Sequence, residues 1–276
     1  MKKFLFSIFF VLCLSSCSTG FVYNNLDWLV HWYIDDYVDL NAEQEAVFDD
    51  YMRQWLNWHR SEELVAYRQH LQELKSRIEH TPLDRAQWLS EFERGRTHWN
   101  RLLQEVAGDL STLALKLDDK QIESIFDELE KRNREREQRQ KSRDDSRRTD
   151  KLQEDIVQWI GPLSKPQKEL LRRYSGKLKP NFKDWMQYRR KWQSEARQIL
   201  LQREDTERWR RAMDAVVLDP RQFEHQTYRE QSAYNRNVYA SLLADLHAGL
   251  SERQKAHLQE EIEDLIRDLS DLMGDG

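Results

Sequence analysis

Apolar residues recur along this chain at steps of three and four over long stretches, the spacing of helices that bury one face. Within 42–79 the stripe runs Val47, Tyr51, Trp55, Trp58, Leu64, Tyr67, Leu71, Leu74 and Ile78, and within 220–247 it runs Phe223, Tyr228, Tyr234, Val238 and Leu242. Breaks fall at Gly161-Pro162, at Gly176 with Pro180, and at Asp219-Pro220. The pattern predicts helices near 25–38, 42–79, 82–115, 119–159, 165–175, 181–203, 206–217, 220–247 and 252–272. The expected fold is all-α, an elongated bundle of about eight or nine helices, several of them long.

A second pattern places the helix starts. Leu40-Asn41-Ala42-Glu43-Gln44, Leu117-Asp118-Asp119-Lys120-Gln121, Leu163-Ser164-Lys165-Pro166-Gln167 and Leu250-Ser251-Glu252-Arg253-Gln254 share a leucine, a capping residue, two variable positions and a glutamine. Each reads as a capping box. The side chain of Asn41, Asp118, Ser164 or Ser251 accepts the N–H three residues on, and Gln44, Gln121, Gln167 or Gln254 reaches back to the cap N–H. The boxes lie 77, 46 and 87 residues apart, too unevenly for a regular solenoid. Thr81-Pro82 predicts a further start, with proline at the first helical position.

The stretch 23–40 interleaves large apolar groups with carboxylates. Leu26, Leu29, Val30, Tyr33, Ile34, Tyr37 and Leu40 fall on one side at helical spacing, and Asp27, His31, Asp35 and Asp39 lie opposite beside Trp28, Trp32 and Val38. A helix of this kind is expected to be sandwiched, with its apolar face organising the core.

Composition supports an all-helical reading. Eight Gly and five Pro in 276 residues leave little from which to build tight hairpin turns, while 39% hydrophobic residues suffice for a sizeable core. No Gly- or Ser-rich linker marks a boundary, so 23–276 is expected to form a single helical domain. The net charge of −5 on a chain with 34% charged residues implies no nucleic-acid partner.

The N-terminus carries targeting information. Lys2 and Lys3 precede an apolar run over 4–14 that is too short to span a bilayer and has the form of an export signal. The run ends in Leu14-Ser15-Ser16-Cys17, which resembles the lipobox of bacterial lipoproteins. The resemblance implies removal of 1–16 and lipidation of Cys17, with 17–22 as a short tether to the membrane. Ser18 after the cysteine resembles an outer-membrane sorting signal, facing the periplasm. Cleavage also removes Cys13 and two lysines, which leaves a formal −7 and one acylated sulfur; disulfide, thiol and cysteine–zinc chemistry are then excluded.

Chemistry-bearing groups are few. Asp27, His31 and Asp35 are spaced i, i+4, i+8 along one helix face, and Trp28 and Trp32 flank them. Three readings stand open for this candidate binding patch: a structural ladder paired with arginines, a stacking wall for a sugar or cation, and acid–base chemistry around His31. No H-E-x-x-H, phosphate-binding Gly loop or G-x-S-x-G is present, which weakens an enzymatic reading and implies no metal or other cofactor. Residues 131–151 hold ten Lys or Arg against five Asp or Glu, either a solvated tip or a contact for an anionic surface. From 260 on, the chain is acidic, a charge suited to pairing with basic helices.

Two resemblances follow from these residues. The lipobox, Tyr23-Asn24-Asn25, Asp27-Trp28, the run Asp35-Asp36-Tyr37-Val38-Asp39-Leu40, Gln44 and Trp58-His59-Arg60 together resemble a family of uncharacterised proteobacterial lipoproteins. That likeness implies a helical fold and an envelope location and assigns no catalytic residue. Locally, Leu-(Asn/Asp/Ser)-x-x-Gln is similar to the L-T-x-x-Q motif of the small helical periplasmic stress chaperones related to Spy and CpxP. It implies a binding role with an envelope protein partner.

Overall fold

A computed structural model describes residues 22–141, 146–203 and 206–274; the segment 1–16 expected as a signal peptide, and the expected lipidation site Cys17, lie outside them. The described chain is all-helical, with eleven α-helices rather than eight or nine. They are α1 (Leu26–Asp35), α2 (Ala42–Trp58), α3 (Leu64–His80), α4 (Arg85–Lys116), α5 (Asp119–Lys141), α6 (Ser146–Ile160), α7 (Lys165–Ser175), α8 (Phe182–Leu201), α9 (Thr206–Leu218), α10 (Gln226–Ala248) and α11 (Glu252–Gly274).

The count rises because two expected helices, 42–79 and 119–159, are interrupted, and a third, 220–247, begins later than expected. A π-helical turn, His59–Glu63, separates α2 from α3. The segment expected as 119–159 forms α5 and α6. The break at Pro220 opens a short 3₁₀ turn, Pro220–Phe223, and α10 starts only after His225, whose ring Nδ1 accepts the Tyr228 N–H at 3.2 Å. Gly161 ends α6 with φ of +72°, where a Cβ would meet the His257 ring at 3.4 Å. That left-handed conformation suits glycine.

The capping boxes form at all four expected starts. A fifth box replaces the expected Thr81-Pro82 start: Leu83-Asp84-Arg85-Ala86-Gln87 repeats the motif, with Asp84 accepting from Gln87 N and Gln87 Oε1 accepting from Asp84 N, both at 2.8 Å. Leu83 and Trp88 join one apolar cluster, as do Leu117 and Ile122, so leucine also staples these two starts.

Four of the glutamines do more than cap. Gln44 and Gln121 exchange amide hydrogen bonds at 2.9 and 2.7 Å. Gln44 Nε2 also donates to Lys116 O at 2.6 Å, and Gln121 Nε2 donates to Asp39 O at 2.7 Å. Gln167 and Gln254 repeat the arrangement, exchanging bonds at 2.9 and 3.0 Å and donating to Gly249 O and Pro162 O. In every case the carbonyl is that of the residue before the partner box's leucine. Two helix starts, 77 or 87 residues apart in sequence, are thereby locked into one amide pair.

Between the Gln44 and Gln121 boxes the chain runs out along α2, the π turn and α3, and returns along α4. α2 packs on α4, α3 packs on α11, and α4 packs on α9 and α10. His247 of α10 fastens the turn of this hairpin: Leu83 N–H donates to Nδ1 at 3.0 Å, which leaves Nε2–H to face Ile78 O at 3.3 Å. The apolar core is distributed along the bundle in several clusters, the largest around Leu171, Leu242 and Leu246. α1 does not organise it. No residue of α1 is buried, and only Tyr23 before it and Val38 after it enter the interior. Tyr33 of α1 and Tyr37 just after it instead meet Arg132 of α5, whose guanidinium lies 5.5 Å and 4.5 Å from the two ring centres and 2.5 Å from Asp36.

Gln44→Ala leaves the Gln121 amide and the Lys116 carbonyl short of partners at a buried site, and is expected to cost about 1–3 kcal/mol of unfolding free energy. Denaturant melts of Gln44→Ala, Gln121→Ala and the double variant are expected to be clearly sub-additive. Simple additivity would show that the two boxes act independently.

Candidate functional site

Glu63 and His70 stand seven residues apart on the α3 side of the hairpin, and Glu91 and His98 stand seven apart on α4. Two turns of helix bring each pair to the same face. The antiparallel return of the chain crosses them. His98 Nδ1 lies 2.6 Å from Glu63 Oε1, His70 Nε2 lies 2.8 Å from Glu91 Oε2, and His70 Nδ1 meets His98 Nε2 at 3.0 Å. The line Glu63–His98–His70–Glu91 thus fills the space between α3 and α4.

The π turn delivers Glu63, which is fully buried. Turns of this type occur often at functional sites because the extra residue redirects the side chains around it. Arg101 Nε approaches Glu63 Oε2 at 3.2 Å, while Arg77 and Arg94 face Glu91, with Arg94 at 3.6 Å. The Tyr67 ring packs edge-on against His98 at 4.7 Å. At the start of the same turn, Tyr23 Oη and His59 Nδ1 are 2.9 Å apart, and Arg60 donates to Asn24 Oδ1, so the chain leading into α1 is pinned to the π turn.

Three contacts in series require three protons, and two neutral imidazoles carry only two. The quartet is complete when it holds one further proton, for a net charge of −1 facing Arg77, Arg94 and Arg101. Burial opposes that proton. It pushes His70 below the ordinary histidine range, with the Glu91 hydrogen bond pulling the other way and Arg94 and His98 adding to the depression. Burial likewise lowers His59, against Glu63, and His247, against its bond to Ile78 O. The quartet is a line of four side chains in hydrogen-bond contact, faced by three arginines within a hairpin.

The sequence-derived patch lies elsewhere. Asp27, Trp28, Trp32 and Asp35 are exposed on α1. His31 turns from its i±4 carboxylates to Asp49 of α2, with Nε2 to Oδ1 at 2.5 Å, and sets its edge against Phe48. The five residues therefore share one short helix, but the histidine serves the α1–α2 contact while the indoles face outward. Among 131–151, Lys131, Arg132, Arg139 and Lys151 face intrachain carboxylates, Glu128, Asp36, Glu135 and Asp155 among them. The acidic C-terminal helix contributes Glu263, which takes Lys75 of α3 at 2.5 Å.

No metal-type spacing marks the quartet in the sequence. The repeated Glu-x6-His is its sequence trace, together with the six-residue step from Trp58 to Leu64 in the apolar stripe, which fits neither three, four nor seven and falls at the π turn. Among the described residues no group of three or more His, Cys, Asp or Glu is placed to hold a metal ion, and no helix is long and apolar enough to cross a membrane.

Residues 36–229 match a family of unknown function, DUF6279, and the chain belongs to that family. No curated protein and no solved structure matches it.

Because His59, His70 and His247 bind protons less readily folded than unfolded, the unfolded chain holds more protons just below the free histidine value of about 6.5, and stability rises with pH through that interval. The melting temperature is expected to fall between about pH 7.5 and about pH 5.5. His247→Asn keeps an acceptor for Leu83 N–H and removes the titrating ring, so it should flatten this dependence. An unchanged slope would contradict the assignment.

Proposed function

We propose that this member of a family of unknown function is a lipid-anchored protein of the outer membrane, facing the periplasm, that acts by binding as an envelope assembly or stress factor. The observation that carries the binding reading is the paired capping box. The Leu-(cap)-x-x-Gln pattern resembles the L-T-x-x-Q motif of periplasmic helical chaperones, and here it fixes helix starts against each other. Such locks make a stiff scaffold whose outer faces are free to meet another molecule. The enclosed position of the Glu-His-His-Glu line favours a stabilising role for it over catalysis. Anchoring rests on the lipobox at Cys17, and an added anionic contact rests on 131–151.

The second reading is a carbohydrate-binding protein or hydrolase using Asp27, His31 and Asp35 beside Trp28 and Trp32. What favours it is the exposure of both indoles, since stacking on sugar rings needs open aromatic faces.

Cys17→Ala is expected to abolish acyl labelling and to release the protein from membranes; retained labelling would contradict the anchor. Site-specific photocrosslinking in intact envelopes is expected to yield a discrete, reproducible protein adduct. Recovery of monomer alone, with glycan binding that depends on Trp28 and Trp32, would favour the carbohydrate reading instead.

A further inference from the structure

Trp28 and Trp32 are the most exposed large apolar side chains described, at 64% and 61% of their full accessibility. They stand one turn apart on the same helix face. A tryptophan that serves packing alone is ordinarily covered, as Trp209 is at 3%. Two adjacent open indoles on a helix with no buried residue call for an occupant outside the described chain.

The chain's own connectivity identifies it. Tyr23 is buried, with its hydroxyl beside His59, and Asn24 accepts from Arg60, so the point where the N-terminal segment joins the fold is fixed. Only residues 18–22 separate it from Cys17. Fully extended, that segment spans about 20 Å. From Tyr23 to Trp32 the helical rise adds at most about 14 Å. An acylated Cys17 therefore keeps both indoles within about 34 Å of the point of lipid attachment, near enough for α1 to lie against the membrane and bring them to the headgroup layer.

Tryptophan favours that layer, where the ring body meets acyl chains and the indole N–H meets water and headgroups. Asp27 and Asp35 accompany the indoles, and the mature chain is net acidic, so a strongly anionic surface is disfavoured.

We propose that the Trp28/Trp32 face of α1 seats in the headgroup layer of a zwitterionic membrane, as a second attachment that fixes the orientation of the bundle behind its lipid anchor. The proposal rests on the anchoring read from the lipobox. A lipid anchor at one cysteine tethers without orienting, whereas two indoles on a pinned helix set which side of the molecule faces the lipid. The bundle's other faces are then presented to the periplasm.

The acylated protein in phosphatidylethanolamine–phosphatidylcholine vesicles with brominated acyl chains provides the test. Bromine quenching of tryptophan emission is expected in the wild type and largely lost in Trp28→Ala/Trp32→Ala, with vesicle attachment through the acyl chains retained and an unchanged far-UV circular dichroism spectrum. Equal quenching in both proteins would overturn the seating while leaving the anchor intact.

The unlipidated Cys17→Ala chain separates the two readings. Its weak partitioning into the same vesicles is expected to fall about tenfold for each indole removed, and that dependence stands or falls whether or not Cys17 is acylated. Partitioning insensitive to both substitutions would overturn the proposal. Protection of the indoles by self-association in the absence of vesicles would also overturn it and assign the face to a second copy of the chain.

Discussion

The exchange of amide hydrogen bonds between paired capping glutamines is the contact on which this bundle depends. A helix start leaves N–H groups that need partners, and a capping box supplies them from the chain itself. Here the same glutamine oxygen that accepts the cap N–H also accepts from the opposite glutamine, while the amide nitrogen serves the partner's oxygen and a backbone carbonyl. Polar groups are buried with their hydrogen-bonding needs met, at sites where an apolar side chain would leave those needs open. Long-range order is thus obtained from a local motif. Gln44 with Gln121 closes the hairpin of α2, α3 and α4, and Gln167 with Gln254 closes the path from α7 to α10.

Within the first closed path the remaining polar groups follow from geometry. The box pair sets the base of the hairpin, His247 fixes its turn, and the facing Glu-x6-His pairs are left to span α3 and α4 between these two points. The π turn adds the residue that brings Glu63 inside. The outer surface is dense in short-range ion pairs such as Arg53–Asp50 and Lys255–Glu252, which contribute little individually and keep the helices soluble. α1 stands outside this system. It is held through Tyr23, His31 and Arg132 and leaves its indoles open.

Much of the architecture was legible because helical signals are local. The apolar stripes placed most helices to within a few residues, and four capping boxes marked starts that the structure retains. The fifth, at Leu83 to Gln87, carries the same pattern and was obscured by Thr81-Pro82, a second valid start signal three residues earlier. His225 was missed as a cap because imidazole rarely fills that position. The misreading of α1 has a different origin. Mixed apolar and acidic faces are compatible with a sandwiched helix and equally with one held at an edge by tyrosines, and periodicity does not distinguish them. The Glu63–His98–His70–Glu91 line depended on the register of two helices, which no single helix's sequence contains. Glutamine pairing was hidden for the same reason: each box is visible alone, and its partner is chosen by the fold.

Amide hydrogen exchange measured peptide by peptide on the Gln44→Ala variant tests the pairing most directly. If paired boxes bind distant helix starts together, exchange accelerates in the segment 117–124, more than seventy residues from the substitution, while 163–170 and 250–257 keep their protection. Acceleration confined to 40–47, or spread evenly over all four starts, would contradict it.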